Sequence, residues 1–503
     1  LLQLLWYTFT QLTQTYYYTY KEKDMEPRNL TLLTDLYELT MMQGYFHEKD
    51  ANETVIFDAF YRSNPDGNGF AVCAGLEQVI EYIKNLHFSE ADIEYFRSLK
   101  LFSEEFLLYL KDFSFKGDMY AFPEGTIMYP NEPVITVVAP VIDAQLIETA
   151  ILLEFNHQSL VATKARRIVR SADGRAVSDF GARRAHNIDA AVYGARAAFI
   201  GGAASTATVL AGQMLGIPVS GTMAHSWVMR FEDEYTAFCK YAEVYPDSCV
   251  LLIDTYDVLN SGIKNAIRTA EDILKPLGKR LKGVRIDSGD LAYLSKKCRK
   301  ILDEAGLSDC MIVASNSLDE YTIQSLLNQG ACIDSFGVGE RLITSRSEPV
   351  FGAVYKLCAV EKDKEFIPKI KVSENEEKIT NPGLKRVYRV YDEEGKAIAD
   401  LIALADEKVD FSSPYRYVDP KKPWKNRFFE NCTVKELATQ IFKDGKLVYN
   451  VPGLNDVASY VRSQLGGEIW EEEQRFENPH THYVDMSPAM YELKMSMLHE
   501  CRE

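Results

Sequence analysis

The spacing of apolar residues changes along the chain, and the changes divide it into segments. In the stretch TDLYELTMMQGYF, which begins at Thr34, apolar residues recur with a helical period. We expect a helix there, with Thr34 as its N-cap. A short strand (TVIFDAFYR), a glycine-rich loop (NPDGNG) and a second helical stretch (LEQVIEYIKNL) follow. Residues 25–142 are therefore predicted to form an α+β domain.

After Asp143, short apolar strands alternate with helical stretches. The predicted strands are AVSDFG, GAAST, IPVSGTMAH, CVLLIDTYD, KGVRIDSGD, CMIVASNS, CIDSFGVGE and AVYKLCAV. Their starts lie roughly 20 to 35 residues apart, which is the length of one β-α unit and implies a parallel sheet. Such a series suits a closed β/α barrel, and an open doubly wound sheet is the alternative. We favour an α/β fold class with a β/α barrel over residues 143–360.

Polar or small residues end six of these strands. They are Asp179 with Gly181 and Arg183, Thr222 with His225, Asp254 with Asp257, Asp287 with Asp290, Ser315 with Asn316, and Gly337 with Gly339. In a barrel the carboxyl ends of all strands converge on one mouth, where active sites lie. Taken alone, His225 in the stretch GTMAHSW would be a core histidine in a tight turn. Its place among these strand ends predicts that it belongs to an active site.

The two ends of the chain differ from its middle. Residues 361–503 begin with a charged stretch and are predicted to form a mixed α/β segment that packs on the other two domains. Within them, RVYRVYDEEGKAIADLIAL predicts a β-hairpin that turns at Glu394 and Gly395. Residues 1–24 have no basic n-region and no cleavage site, so they predict neither a signal peptide nor a membrane span. We expect them to be a non-native or disordered leader and the native chain to start at Met25.

Composition narrows the classes of partner. A formal net charge of −17 over 503 residues argues against a nucleic-acid or anionic-membrane surface, so an anionic ligand needs local positive charge. Nine cysteines without a CxxC pair are typical of a reducing compartment and predict a cytoplasmic protein. His480 and His482 have no third ligand nearby, so no metal site is expected there.

Three residue types at the strand ends indicate phosphate chemistry. Gly337 and Gly339 offer bare backbone N–H groups to a phosphate, although a plain turn would have the same sequence. The aspartate pairs in DTYD and DSGD could hold Mg²⁺ beside phosphates or cap the following helices. His225 could serve in acid-base catalysis, or as a nucleophile that forms a phosphoramidate with the terminal phosphate of a nucleotide.

Several motifs in register resemble the nicotinate phosphoribosyltransferase family, in the type II phosphoribosyltransferase group. They are LLTDLYELTM, DFGARR, GTMAHS, IDTYD, VRIDSGD, SNSLDE, FGVGERL, VYKLCAV and the tail ENPHTHYVDMS. The resemblance implies an ATP-coupled transfer of phosphoribosyl from phosphoribosyl pyrophosphate (PRPP) to nicotinate. The products would be nicotinate mononucleotide and pyrophosphate, in the salvage route of NAD biosynthesis. It also implies that ATP phosphorylates His225, that Mg²⁺ is the cofactor, and that a homodimer has its active site at the subunit interface.

The resemblance assigns roles to individual side chains. His225, Asp254 and Asp287 would be catalytic, and the two aspartates would lie near Mg²⁺. The pyridine ring would lie between Phe180 and Tyr37 of the partner subunit. Further substrate contacts would come from residues that offer charge, hydroxyls or backbone N–H groups: Arg183, Thr222, Arg285, Ser315, Asn316, Gly337, Gly339 and Thr380.

Two alternatives stay open. The sister nicotinamide phosphoribosyltransferase shares the barrel, the histidine and the aspartate pairs, but it has an acidic residue in the segment that here reads GGAASTATVLAG. That segment contains no carboxylate, which favours a carboxylate ligand such as nicotinate. The other alternative is a catalytically silent barrel that acts as a metabolite sensor, although a pure binder needs neither a nucleophile nor metal carboxylates.

Overall fold

The computed structural model describes residues 28–48, 50–375, 378–409, 414–420 and 422–501, so the predicted leader and the predicted start at Met25 lie outside the described residues. In chain order the helices are α1 (Leu36–Glu48), α2 (Leu76–Asn85), α3 (Glu90–Leu99), α4 (Glu104–Lys111), α5 (Val141–Leu146), α6 (Glu148–Ser171), α7 (Ile188–Ile200), α8 (Val209–Leu215), α9 (His225–Met229), α10 (Glu234–Val244), α11 (Ile263–Thr269), α12 (Leu291–Glu304), α13 (Glu320–Asn328), α14 (Glu340–Ile343), α15 (Leu454–Ser463) and α16 (Pro488–Glu500).

The strands, in the same order, are β1 (Thr54–Phe60), β2 (Ala71–Val72), β3 (Asp118–Ala121), β4 (Ile127–Met128), β5 (Ile135–Pro140), β6 (Ala176–Asp179), β7 (Ser205–Thr206), β8 (Val250–Leu252), β9 (Gly283–Ile286), β10 (Met311–Ser315), β11 (Ser335–Val338), β12 (Val354–Lys362), β13 (Glu365–Pro368), β14 (Lys385–Tyr391), β15 (Ala397–Leu404), β16 (Tyr415–Val418), β17 (Asn426–Phe429), β18 (Thr433–Glu436), β19 (Thr439–Lys443), β20 (Lys446–Leu447) and β21 (Val484–Met486). Among the described residues, no helix is both long enough and apolar enough to cross a bilayer.

The first predicted helix is confirmed as α1, but its predicted cap is wrong. The Thr34 hydroxyl donates to the carbonyl oxygen of Leu146 at 3.3 Å, so it joins the helix to α5 instead of capping it. The buried face of α1 carries Leu39 and Met42, which pack in the N-terminal core. The Thr34 hydroxyl therefore makes a tertiary hydrogen bond in place of the N-cap bond that local sequence preference predicts.

An antiparallel sheet combines three N-terminal strands with four from later in the chain, in the order β13-β12-β1-β5-β3-β19-β20. AVYKLCAV, predicted as the last barrel strand, instead forms β12 and pairs antiparallel with β1. The stacked rings of Phe57 and Tyr355, whose centroids are 4.6 Å apart, fix this pairing from the core side. Buried and half-exposed positions mix along β12, as expected for an antiparallel strand with one wetter face.

A parallel sheet is built from strands between Ala176 and Val338, in the order β7-β6-β11-β10-β9-β8. All of its strand pairs are parallel, which confirms the predicted parallel α/β arrangement. IPVSGTMAH contributes only one isolated parallel bridge, between Thr206 and Val219. Because strands of this kind are buried on both faces, they read as continuous apolar runs in the sequence.

The two edges of the parallel sheet meet through side chains. Thr222 and His225 follow the Val219 bridge, and they contact Arg285 of β9 and Asp254, which follows β8. The described residues include no hydrogen-bonded ladder between Val219 and β8. Side-chain contacts alone therefore link the segment after Val219 to the β9 and β8 end of the sheet.

The C-terminal segment builds a third sheet, in the order β17-β16-β21-β15-β14-β18. The predicted hairpin is confirmed as β14 and β15, with Gly395 at a positive φ of 78° in its turn. Strand β21, from the tail, pairs parallel with β15 and so brings the end of the chain back to this sheet. The chain's nine cysteines are all free thiols, six of them buried.

Candidate active site

A cleft opens where the strands of the parallel sheet end. The residues that line it come from four strand ends and the turns after them: Phe180, Arg183, Arg184, Arg285, Asp287, Ser315, Asn316, Ser317, Leu318, Gly337, Gly339, Glu340, Arg341 and Arg346. We call this the strand-end cleft. Five arginines face two carboxylates in it, although the chain as a whole is strongly acidic. The local positive charge that an anionic ligand requires is therefore present.

His225 is the first residue of α9, and its ring is held by a buried carboxylate. Nε2 of His225 lies 3.1 Å from Oδ1 of Asp254, whose side chain is 1% exposed. The other carboxylate oxygen of Asp254 accepts from the backbone N–H of Asp287 at 3.0 Å and from the Ser288 hydroxyl at 2.6 Å. Because a carboxylate can only accept, the neutral imidazole carries its proton on Nε2 and keeps its lone pair on Nδ1. This orientation suits a nucleophilic imidazole.

Arg285, in β9, binds side chains from three segments at the strand ends. Its guanidinium donates to Ser315 Oγ at 2.9 Å, to Thr222 Oγ1 at 3.1 Å and to Asp287 Oδ1 at 3.1 Å. Ser315 also donates to the same oxygen of Asp287. The planar, always charged guanidinium is therefore fixed in one orientation, which favours recognition of a carboxylate or phosphate.

Phe180 gives the cleft an aromatic surface. The Arg285 guanidinium carbon lies 5.5 Å from the centre of its ring. A Cβ atom on Gly337 would stand 2.4 Å from two atoms of the same ring, and one on Gly339 would stand 3.0 Å from the Phe180 carbonyl oxygen. Both glycines line the cleft, and Phe180 fits beside them because neither has a side chain. Their binding of phosphate through backbone N–H groups stays a prediction.

The aspartate pairs divide between two roles, which the sequence could not separate. Asp257 accepts from two backbone N–H groups of the following turn, and Asp290 accepts from Tyr293 N at 2.9 Å as the N-cap of α12. Asp254 and Asp287 instead make the side-chain contacts of the candidate site. One aspartate of each pair caps the following helix, and the other lies in the candidate active site.

The two aspartates suit a magnesium ion that is held mainly by a substrate. Among the described residues, no group of three or more His, Cys, Asp or Glu is arranged to hold a metal. Both oxygens of Asp254 already have partners, so Asp287 is the more open ligand. Mg²⁺ commonly binds one or two carboxylates together with substrate phosphates and water, which this arrangement permits.

Sequence reasoning missed several cleft residues. Arg184, Ser317, Glu340, Arg341 and Arg346 line the cleft. Arg341 donates to Asp319 through Nη1, while its buried Nε has no partner among the described residues. The stretch GERLITSR carries two of these arginines directly after the Gly-x-Gly, and positive charge beside a predicted phosphate site was the signal that could have found them.

Five predicted residues do not line the cleft in this chain: Tyr37, Thr222, His225, Asp254 and Thr380. Thr222, His225 and Asp254 are linked to it by the hydrogen bonds that lead to Arg285 and Asp287. Tyr37 lies on α1 of the N-terminal half and is 47% exposed, and partial burial together with Glu148 and Glu38 raises the pKa of its phenol. Thr380 is buried, and its hydroxyl accepts from the backbone N–H of Lys371 at 2.9 Å. Thr380 therefore already has a structural partner.

A group of neutral hydroxyls lies beside the cleft. Ser205, in the segment GGAASTATVLAG, is 2.8 Å from Ser178 and 2.6 Å from Ser220 through its hydroxyl oxygen. The nearby carboxyl of Asp179 accepts from Thr206 and from the backbone N–H of Gly181, and burial raises its pKa. This group therefore combines three hydroxyls with the buried carboxyl of Asp179.

Comparisons with known proteins agree over most of the chain. Family models match at residues 32–156 (nicotinate phosphoribosyltransferase N-terminal domain), 175–397 (nicotinate phosphoribosyltransferase family) and 384–494 (nicotinate phosphoribosyltransferase C-terminal domain). A nicotinate phosphoribosyltransferase of Bacillus subtilis (strain 168) is 46% identical over 477 residues, which cover 94% of this chain and 96% of the relative.

Two crystal structures show the same architecture. That of human nicotinic acid phosphoribosyltransferase superposes with a TM-score of 0.81 at 27% identity, over 93% of this chain and 100% of the other. That of nicotinate-nucleotide pyrophosphorylase from Pyrococcus furiosus gives a TM-score of 0.67 at 26% identity, over 89% of this chain and 98% of the other.

Proposed function

The chain belongs to the nicotinate phosphoribosyltransferase family, and we propose that it transfers phosphoribosyl from PRPP to nicotinate, coupled to ATP through phosphorylation of His225. The products are nicotinate mononucleotide and pyrophosphate, which places the reaction in NAD salvage. One observation carries the proposal: the pair of His225 and Asp254 lies at the same strand ends as Arg285, Asp287 and Ser315. A nucleophile, a metal carboxylate and anion-binding donors are then within one site.

The hydrogen bond from Nε2 to Asp254 supports His225 as the phosphoryl acceptor. It directs the lone pair of Nδ1 away from Asp254, and the carboxylate stabilises the ring when it becomes charged. A phosphate on Nδ1 adds about two negative charges at the cleft. Those charges favour binding of Mg²⁺ beside the pyrophosphate group of PRPP. Loss of the phosphate by hydrolysis would then favour product release.

Asp287 and Asp254 would hold the Mg²⁺. When bound, the metal supplies charge neutralisation at the pyrophosphate leaving group. The protein itself supplies the fixed dipoles: Arg285, the Ser315 hydroxyl and the backbone at Gly337. Because these groups are held before substrate arrives, they need little reorganisation when charge develops in the transition state.

The ring-binding part of the site favours nicotinate over nicotinamide. Phe180 offers a flat face to a pyridine ring, and Arg285 lies over the same ring as a bidentate carboxylate donor. The hydroxyls of Ser178, Ser205 and Ser220 are neutral, and the neighbouring carboxyl of Asp179 already accepts from Thr206 and Gly181. An ionised carboxylate is therefore the better partner for this site.

We propose further that the enzyme is a cytoplasmic homodimer built on a barrel. The contacts from Thr222 and His225 to the opposite edge of the parallel sheet support closure into a barrel. Tyr37 is exposed beside the exposed Leu33, Leu36 and Met41, which supports an interface through α1 that brings Tyr37 to the ring-binding part of the partner's site. Free thiols throughout the chain support a reducing compartment.

The proposal is tested by mononucleotide and ADP formation with PRPP and Mg²⁺, offering nicotinate or nicotinamide, with and without ATP. We expect the wild type to use nicotinate and to be stimulated by ATP. His225→Ala should lose the stimulation and the formation of ADP while it keeps slow, ATP-independent turnover. His499→Ala, at an exposed histidine on α16, is the matched control and should behave as the wild type.

The other outcomes each point elsewhere. A preference for nicotinamide would refute the pocket interpretation while leaving the transfer chemistry in place. Stoichiometric ligand binding without release of pyrophosphate would instead support the silent sensor.

A further inference from the structure

Lys164, in the middle of α6, is a buried cation with three acceptors from three different segments. Its Nζ lies 3.0 Å from Asp66 Oδ2, 2.8 Å from Glu320 Oε1 and 2.7 Å from Ser347 Oγ. The lysine side chain is 3% exposed. An ammonium has three N–H donors, so this group is completely satisfied and fixed. Asp66 belongs to the NPDGNG loop, which the candidate site does not include.

The contact with Glu320 reaches one wall of the strand-end cleft. Glu320 is the first residue of α13, is fully buried and also accepts from Arg167 Nε at 2.9 Å. The turn just before it carries Asn316 and Ser317, which line the cleft at positive φ values of 93° and 51°. Residues with side chains hold such angles only where the surrounding structure fixes them. Lys164 and Arg167 supply that restraint by anchoring the start of α13.

The contact with Ser347 reaches the opposite wall. Ser347 follows Arg346, which lines the cleft, and its hydroxyl donates to Asp66 Oδ2 at 3.0 Å. The backbone N–H of Asp66 donates in turn to Glu348 at 2.6 Å. The two residues after Arg346, Ser347 and Glu348, are therefore both hydrogen-bonded to Asp66.

We propose that Lys164 is a positioning residue that holds the two walls of the strand-end cleft at a fixed separation, through Glu320 on one side and Ser347 with Asp66 on the other. None of these three contacts lines the cleft, so they act through Asn316, Ser317 and Arg346. The separation of the walls determines how well the donors fit a phosphate ester. The inference rests on the proposed function for the identity of the ligand, PRPP, and assigns a role to the NPDGNG loop.

Kinetics of three variants test the proposal. Ser347→Ala removes one wall contact without leaving a buried charge unpaired, Lys164→Met removes both contacts, and Lys164→Arg restores a cation. Two matched controls accompany them. Ser98→Ala removes an exposed hydroxyl on α3, and Lys385→Met removes a buried lysine that pairs with Asp58 away from the cleft.

We expect Ser347→Ala to raise the KM for PRPP about five- to tenfold, with kcat and the KM for nicotinate changed by less than about twofold. Lys164→Met should raise the KM for PRPP further, and Lys164→Arg should recover most of the loss. Ser98→Ala should match the wild type, and Lys385→Met should lower the unfolding temperature without a selective change in the KM for PRPP. An unchanged KM for PRPP in Ser347→Ala and in a folded Lys164→Met would overturn the proposal. So would an equal rise for both substrates.

Binding of ribose 5-phosphate separates this inference from the proposed function. The probe should raise the unfolding temperature of the wild type and of Ser98→Ala, and the rise should shrink in Ser347→Ala whether or not the protein turns over nicotinate. Turnover by the wild type together with equal protection of both serine variants would refute only the positioning role. A wild type that neither turns over PRPP nor is protected by ribose 5-phosphate would refute both.

Discussion

A Cβ atom on Gly337 would stand 2.4 Å from Cδ2 and Cε2 of Phe180, closer than relaxed packing allows. At the scale of single residues, the cleft thus depends on a missing side chain as well as on those present. Phe180 in turn lies beneath Arg285, so a shift of the ring also disturbs the guanidinium. Sequence patterns found all three residues, but not this dependence, because the Phe180 ring and Gly337 are distant in sequence and meet only in the folded chain.

Gly337→Ala should raise the KM for nicotinate roughly tenfold, since overpacking costs about 1–3 kcal/mol and about 1.4 kcal/mol corresponds to a factor of ten. Steady-state kinetics with nicotinate varied at saturating PRPP would measure this. Gly466→Ala is the control, because a Cβ there would meet no atom within 4 Å. A variant with unchanged kinetics would show that Phe180 does not contact the pyridine ring.

At the scale of elements, α1 illustrates how one helix serves two environments. Tyr37 is on its exposed side, while Glu38 is completely buried and accepts from the Thr149 hydroxyl at 3.0 Å. Burial and the neighbouring Glu148 raise the pKa of Glu38 to about 7. The folded state therefore binds this proton more tightly than the unfolded chain does, and stability falls as the pH rises from about 4.5 to about 7.

Glu38→Gln should therefore unfold at a higher temperature than the wild type at pH 8 and at a similar temperature at pH 5. About 1.4 kcal/mol for each pKa unit gives an upper bound of about 3 kcal/mol for the gain at pH 8. Thermal unfolding followed by circular dichroism at both pH values would measure it. Glu48→Gln, at the exposed end of the same helix, should change neither value. A gain of equal size at both pH values would rule out ionisation of Glu38 as the cause.

Hydrophobic periodicity alone does not predict which sheet a strand joins. The apolar run AVYKLCAV was predicted to follow β11 in the parallel sheet, yet it forms β12 of the antiparallel sheet. The hairpin of β14 and β15 was predicted correctly because its turn and its strands are contiguous in sequence. Strand partners that are remote in sequence are chosen by which faces can be buried together, and a local pattern does not contain that choice.

At the scale of the whole molecule, a buried polar network joins the N-terminal region to the C-terminal segment: Tyr129, Glu132, Arg389, Asp400, Glu473 and His482. Arg389 makes a two-pronged ion pair with Asp400, and His482 lies between Asp400 and Glu473 while its ring stacks on Tyr129 at 3.7 Å. Burial alone would lower the pKa of His482, but the two carboxylates raise it above its ordinary value. The two carboxylates thus favour the charged form of His482 inside the protein.

His482→Gln should lower the free energy of unfolding by about 3–5 kcal/mol at pH 6, because it leaves buried carboxylates short of a cation. The stabilisation by His482 is complete below its unfolded pKa, near 6.5, and is lost as the pH rises through its higher folded pKa. The difference between variant and wild type in urea unfolding should therefore shrink towards pH 9. His480→Gln, at an exposed histidine two residues away, is the control. A difference independent of pH would contradict the charged form.

If Tyr37 completes the partner's site, two defective chains can restore one another. Co-expressed Tyr37→Ala and His225→Ala chains form mixed dimers with one intact and one defective site, so about half of the sites in purified mixed dimers should recover ATP-stimulated turnover. Each variant expressed alone should show little. Recovery would be measured on tagged, purified mixed dimers. Activity of a sedimenting monomer, or no recovery in mixed dimers, would contradict an active site shared between subunits.

The sequence by itself determined the alternation of strands and helices, the polar residues at the strand ends and the family. Each of these depends on spacing or on short motifs, which contiguous residues set through backbone geometry. Only the tertiary structure decided that Asp254 and Asp287 lie at the site while Asp257 and Asp290 cap helices, because the four differ in neighbours and not in local pattern. The contacts of Lys164 and His482 were decided in the same way. A buried charge is stable only beside partners from distant segments, and folding alone brings those partners together.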